Sequence, residues 1–262
     1  MDFPTHVADE SARFEAVLRD AVPTTAVPTC PDWTAADLLW HLTEVQLFWG
    51  AIVRDRLDDP QAAERAKPGR PSDPDELANL FSTASATLVE VLSTTPAATP
   101  MWMWNADGRH AGYIARRQAH EALIHRVDAE MTVGRPSPLD PELATDGIDE
   151  VLSIMYGPAD WGTVLPSGPT GQILTTDTET SWTFRVAQFR GTDPDSGKTY
   201  FEPVVELLDG RSAPSSIDFT VRGTAGQLDT ALWNRAPLAD LDVRGDNAAF
   251  TALADVIGQG ID

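Results

Sequence analysis

Residues 34–53 read TAADLLWHLTEVQLFWGAIV, and apolar side chains fall on almost every face of the helix this stretch predicts. A helix that is apolar all round belongs in the interior of a folded unit. Its start is marked by Thr34, whose hydroxyl can cap the free backbone N–H groups, with Asp37 three positions on in a box-like arrangement. Upstream, prolines at 23, 28 and 31 interrupt the chain, because proline cannot continue a helix. Before them, Val7, Phe14, Val17 and Leu18 share one helical stripe and predict a first helix over 7–21. Downstream, the proline-rich polar run 59–74 reads as a loop, and Leu77, Phe81 and Leu88 predict a helix over 75–92. A second irregular stretch, 93–108, leads to a helix over 111–131 that stops at Gly134-Arg135-Pro136. Four helices with connections of moderate length predict a bundle over residues 1–136.

Beyond residue 136 the pattern changes. A short helix is expected over 141–155, followed by a turn rich in glycine and proline. The runs GQILTTD (171–177), SWTFRVAQF (181–189) and SIDFTVRG (216–223) alternate apolar and polar residues, as strands do. Helices over 225–233 and 247–257 flank a short strand at LDVRG, 241–245. Residues 137–262 therefore read as a smaller α+β domain, and the whole chain as α+β.

The composition narrows the class of function. With 19 Lys+Arg against 40 Asp+Glu, the formal net charge of the 262 residues is −21. Such a surface repels phosphate backbones and anionic headgroups, so neither nucleic acid nor membrane is an expected partner. Hydrophobic residues make up 42% of the chain, enough for a real core. The single cysteine, Cys30, cannot form an intramolecular disulfide, which fits a reducing compartment. No signal sequence and no membrane-spanning run is evident, so a cytoplasmic location is expected. Oligomeric state is not legible.

Histidines are few: they stand at 6, 41, 110, 120 and 125. His41 lies in LLWHLTEV and His125 in ALIHRVD, both apolar settings where an imidazole needs partners for its ring nitrogens. Glu121 precedes His125 by four residues, which places the two on one helical face about 40° apart. His120 lies roughly 140° from His125 and faces elsewhere. A histidine and a carboxylate so placed suit a divalent ion such as Zn²⁺, with His41 the best third ligand and a fourth position open. An isolated pair at this spacing is more often a surface ion pair, and that reading stands beside the metal one. Asp128 and Glu44 are each placed to reach back three residues, to His125 and His41, and orient them; Asp128 pairing with a nearby arginine is the alternative. Arg117, four residues before Glu121, either holds a carboxylate of a bound molecule or pairs with Glu121. Cys30, with no base beside it, reads as a packed small residue. Trp40 and Trp49 read as core; Trp102 and Trp104 plug one end of the bundle or wall a cleft.

Three stretches carry a resemblance. VPTCPDWTAADLLWHLTEV (27–45), RRQAHEALIHRVDAE (116–130) and LWNRAPL with LDVRGD (232–238 and 241–246) resemble the mycothiol-dependent maleylpyruvate isomerase family of actinobacteria. That family belongs to the wider DinB-like, metal-dependent thiol S-transferase superfamily. The resemblance implies a DinB-like four-helix bundle followed by a smaller α+β, sterol-carrier-like domain. It implies a metal held by one histidine of the Trp-Thr-x-x-x-Leu helix and by the pair of an ExxxH motif, here His41, Glu121 and His125. It also implies an arginine of the second domain that assists the substrate. The nearest match is Arg235, preceded by Asn234 where the family pattern has glycine.

The chemistry so implied is thiol activation. A thiol is mostly protonated at neutral pH while the thiolate is the nucleophile, and zinc ligation removes the proton. Mycothiol would be the thiol cosubstrate and a small electrophile the substrate, with the reaction a cis-trans isomerisation or an S-transfer through a metal-bound thiolate. A metal-dependent hydrolase and a non-catalytic small-molecule-binding protein of the same fold are the other classes compatible with the sequence.

Overall fold

Thr34 sets where the long apolar helix begins. In the computed structural model, which describes residues 1–105, 108–194, 196–209 and 216–261, helix α2 spans Ala35–Asp55 and Thr34 is its N-cap. The Thr34 backbone N–H and hydroxyl donate to Asp37 Oδ2 at 2.8 and 2.6 Å, while the Asp37 N–H donates back to Thr34 Oγ1 at 3.3 Å. The hydroxyl bond from Thr34, then the hydrogen bond from Arg70, bring the Asp37 carboxyl down to about 2. A carboxylate depressed in the fold contributes stability above its unfolded value, and the contribution is lost as pH falls through the folded one. The Asp37 side chain is 33% exposed, so the pair with Arg70 adds little and the cap dominates. Asp37→Asn is therefore expected to lower stability by about 1 kcal/mol at neutral pH. The gap between variant and parent should close between about pH 4 and pH 2; urea melts over that range read it, and a constant gap would show that the charge is irrelevant.

The chain divides into two compact units, Met1–Ser137 and Pro138–Asp262. In the first, four long helices pack in a ring: α1 (Phe3–Arg19) against α5 (Ala111–Thr132), α5 against α2, α2 against α4 (Pro74–Thr94), and α4 against α1. Phe14, Leu38, Leu42 and Phe81 meet in the centre with none of their surface exposed. Helix α5 ends as its sequence proposes. Gly134 takes φ +67°, and the N–H groups of Gly134 and Arg135 reach back to Met131 O and Glu130 O. Residues 106 and 107 of the irregular stretch before α5 lie outside the described residues.

Two elements of this unit depart from the expectation. The run expected as loop contains a short helix, α3 (Pro60–Ala66), with Asp59 as N-cap and proline in its first turn. It buries only Ala63, so it leaves no apolar period to read. The proline-broken segment before α2 forms a small antiparallel hairpin, β1 (Ala26–Val27) with β2 (Cys30–Thr34). Val27, wholly buried, anchors it in the bundle core, and Cys30 packs against the same cluster.

In the second unit, helix α6 (Pro141–Glu150) continues into a π-helical turn, Val151–Met155. The sheet is built on β5 (Ser181–Thr192). Along one edge β5 pairs antiparallel with β3 (Gly162–Leu165) and β4 (Thr170–Thr175), and along the other with β6 (Thr199–Leu207). Strand β7 (Phe219–Gly223) lies parallel to β4 and antiparallel to β8 (Asp242–Gly245). Helices α7 (Ala225–Leu232) and α8 (Asn247–Ile257) complete the unit. Strands β3 and β6 were not among the expected elements. β6 carries Pro203, which argues against a central strand; as the outer partner of β5 it tolerates the missing N–H. The class is α+β as expected, helical first and sheet-containing second. Among the described residues no helix is long and apolar enough to cross a membrane.

Candidate metal centre

Helices α2 and α5 bring His41, Glu121 and His125 together. One ligand atom from each lies within 4.8 Å of the others. Nε2 of His41 is 3.4 Å and Nε2 of His125 3.2 Å from the same carboxylate oxygen, Glu121 Oε1. Both contacts lie at the long end of hydrogen-bond length and close to the ligand spacing of a small metal ion. Charge-assisted hydrogen bonds settle at about 2.7–2.9 Å. Ligand atoms placed tetrahedrally at about 2.0–2.1 Å from a zinc ion stand about 3.3–3.4 Å apart. Two histidine nitrogens and one carboxylate oxygen, with two of their separations near that length and all within 4.8 Å, are a donor set that could hold a zinc-sized ion, and both imidazoles present Nε2 to Glu121.

Glu121 is divided between two tasks. Its second oxygen, Oε2, accepts from Arg117 Nη2 at 2.6 Å, so Oε1 is the oxygen left for the histidines. Arg117 thus forms the intrahelical pair, one of the two roles expected of it. Burial pushes the Glu121 carboxyl up, but hydrogen bonds from His125 and His41 and the charge of Arg117 outweigh it and hold the group well below the usual carboxylate range.

His125 is buried, with 7% of its side chain exposed. Its Nδ1 lies 2.9 Å from Asp128 Oδ2, the contact expected from three-residue spacing. Burial disfavours the imidazolium, yet Asp128 and Glu121 overcome that and raise the group to about 9. A metal ion and this proton compete for the same nitrogen.

His41 departs from the expected burial: 29% of its side chain is exposed, against the solvent-free setting its apolar neighbours imply. Glu44 does not turn back to His41 either; it pairs with Lys67 at 3.3 Å, a cation supplied by the chain just after α3. His120 is buried elsewhere, its ring edge-on to Phe3 of α1 at 6.3 Å. Trp102 stacks on Trp49 at 5.8 Å and so packs on α2, whereas Trp104 is half exposed.

Two contacts had no sequence signal. Trp33 of β2 lies with its ring 4.7 Å from that of His41 and 6.4 Å from that of His125. Thr29, in the hairpin turn, donates its hydroxyl to Asp128 Oδ1 at 2.5 Å.

Arg235 lies in the second unit, just past α7. Asn234 takes φ 60°, the left-handed conformation that glycine adopts most readily and asparagine tolerates. The N–H groups of Asn234 and Arg235 close the helix end on Ala231 O and Thr230 O at 3.0 and 2.9 Å. Asn234 therefore serves a turn whose backbone conformation favours glycine. Arg235 Nη1 donates to Trp233 O at 2.7 Å. Its charge is felt by Tyr156, whose phenol burial pushes up to about 12 against the pull of the arginine.

The chain is similar in fold to the crystal structures of the mycothiol-dependent maleylpyruvate isomerase and of a histidine-to-alanine mutant of it. Each has a TM-score of 0.60, at 14% and 13% identity, covering 94% of this chain and 93% of the other. No curated protein sequence matches the chain. Residues 5–130, which carry all three clustered side chains, match the model of the mycothiol maleylpyruvate isomerase N-terminal domain. The match spans the helical unit that carries the cluster, and over that unit the chain resembles the mycothiol maleylpyruvate isomerase N-terminal domain family.

Proposed function

We propose that this chain is a mycothiol-dependent enzyme of the isomerase or S-transferase type, and that His41, Glu121 and His125 hold a zinc ion at its centre. The observation that carries the reading is the pair of distances from Glu121 Oε1 to the two histidine nitrogens, 3.4 and 3.2 Å, which match the edges of a zinc tetrahedron. The family match and the two similar structures supply the thiol.

Two histidines and one carboxylate leave the fourth position of such a centre open. Zinc there would make a thiol a thiolate at neutral pH, the form in which sulfur attacks an electrophile. The protein's own residues prepare the site. Arg117 occupies Glu121 Oε2 and leaves one oxygen for ligation. Asp128 accepts a hydrogen bond from His125 Nδ1–H in the neutral tautomer that leaves the Nε2 lone pair for the metal. Arg235 is the proposed counterpart of the arginine that assists the substrate in the family, with Asn234 shaping the turn that presents it.

Turnover of small electrophiles by the purified, zinc-loaded chain should require added thiol, with mycothiol more effective than glutathione. Cobalt-substituted protein should gain a sulfur-to-cobalt charge-transfer band on adding mycothiol. Turnover without thiol, together with an unchanged cobalt spectrum at saturating thiol, would replace this reading with a hydrolytic one.

A further inference from the structure

The hairpin β1–β2 has no place in the ligand set, yet it reaches that set directly through Trp33 and, through Asp128, by way of Thr29. Its turn is the pair Pro28-Thr29, closed by Val27 opposite Cys30. The wholly buried Val27 and the packed Cys30 tie the hairpin to the bundle core. Thr34, its last residue, is the N-cap of α2, the helix that carries His41. The turn is therefore held from both ends, and the Thr29 hydroxyl is aimed rather than merely nearby.

That hydroxyl donates to Asp128 Oδ1 at 2.5 Å, across 99 residues of sequence. Asp128 has none of its side chain exposed. Its other oxygen, Oδ2, faces His125 Nδ1 at 2.9 Å. With Thr29 on Oδ1, the carboxylate plane is fixed and Oδ2 is directed at the imidazole. Trp33, further along the same hairpin, lies against the rings of both histidines.

We propose that Thr29 is a positioning residue for the metal centre, acting through Asp128 on His125, and that the hairpin thereby sets the affinity of the site for zinc. The proposal rests on the reading of His41, Glu121 and His125 as a zinc site. Partners in the shell outside metal ligands are commonly worth about 10–100-fold in metal affinity. Thr29→Val removes the hydroxyl and keeps the shape of the side chain. Thr29→Ser restores the hydroxyl on a smaller one.

The test is the zinc affinity of the full chain, measured with Zn²⁺ alone against a chromophoric chelator, beside the thermal melting of the metal-free protein. Thr29→Val should bind zinc about tenfold more weakly or worse, and Asp128→Asn should weaken binding by about 10–100-fold. Thr29→Ser should return to within about threefold of the parent, the residual covering side-chain freedom. A purely structural role for Thr29 would instead lower the melting temperature of Thr29→Val with zinc affinity unchanged, and that result overturns the proposal. Should Thr29→Val fail to fold, parental affinity in Asp128→Asn overturns it equally. A parent chain that takes up no zinc overturns the metal reading, and this proposal with it; a parent that binds zinc beside a Thr29→Val that binds as well overturns this proposal alone.

Discussion

Zinc binding is expected to weaken by roughly a hundredfold to a thousandfold when His125 is replaced by alanine. Structural zinc sites bind with about 10–16 kcal/mol over four ligands, so one ligand carries on the order of 3 kcal/mol. His125 is the most buried of the three clustered residues and the one whose far nitrogen is held by Asp128. Its loss removes a nitrogen that the surrounding helices cannot replace, because His120 faces Phe3 on another side of α5. His120→Ala should keep the parental affinity, which separates loss of a ligand from loss of any buried histidine. Chelator competition on both variants reads the difference. Full zinc retention by His125→Ala would remove His125 from the ligand set.

The second large effect concerns stability. Arg126 is completely buried, and its guanidinium meets Glu10 of α1 at 2.6 Å and Glu130 of its own helix at 3.0 Å. Ser137 Oγ accepts from Arg126 at 2.9 Å and donates to Glu130 at 2.6 Å. Arg13 closes the group from the solvent side, 3.5 Å from Glu10 and 3.8 Å from Glu130. Two cations and two carboxylates thus cancel in charge where α1 meets α5. Arg126→Met strips the inner cation and leaves two carboxylates in a dry setting. Breaking a buried pair in this way costs about 3–5 kcal/mol, on the order of 10 °C or more in melting temperature. Replacing Glu10, Arg126 and Glu130 together by apolar residues of similar volume should recover most of the loss, since no buried charge then lacks a partner. A single Arg126→Met that melts within about 2 °C of the parent would show that packing alone joins α1 to α5.

The two halves of the proposed centre differ in how visible they are in the sequence. Glu121 and His125 are one helical turn apart, and so are His125 and Asp128; the spacing of a regular helix brings each pair together whatever the rest of the chain does. The four long helices were legible for the same reason, because a repeating apolar stripe and a cap are local features. His41 is different. Its apolar neighbours imply burial, while the structure leaves it partly open to solvent beside α5. Glu44 has the right spacing to reach it, yet Lys67, which no local pattern links to Glu44, takes the carboxylate.

By itself, then, the sequence determined the α+β class, the bundle helices with the Thr34 cap of α2 and the Gly134 stop of α5, and the helical face shared by Glu121 and His125. Each of these depends on interactions spanning a few residues. Tertiary structure decided the rest: the approach of His41 to Glu121 across 80 residues, and the hydroxyl of Thr29 on Asp128 across 99. It also decided that β6 with Pro203 forms an outer strand on β5. The physical reason is common to all three. A contact between distant segments depends on how helices and strands pack to bury their apolar faces, and the residues that meet there carry no fixed spacing in the chain.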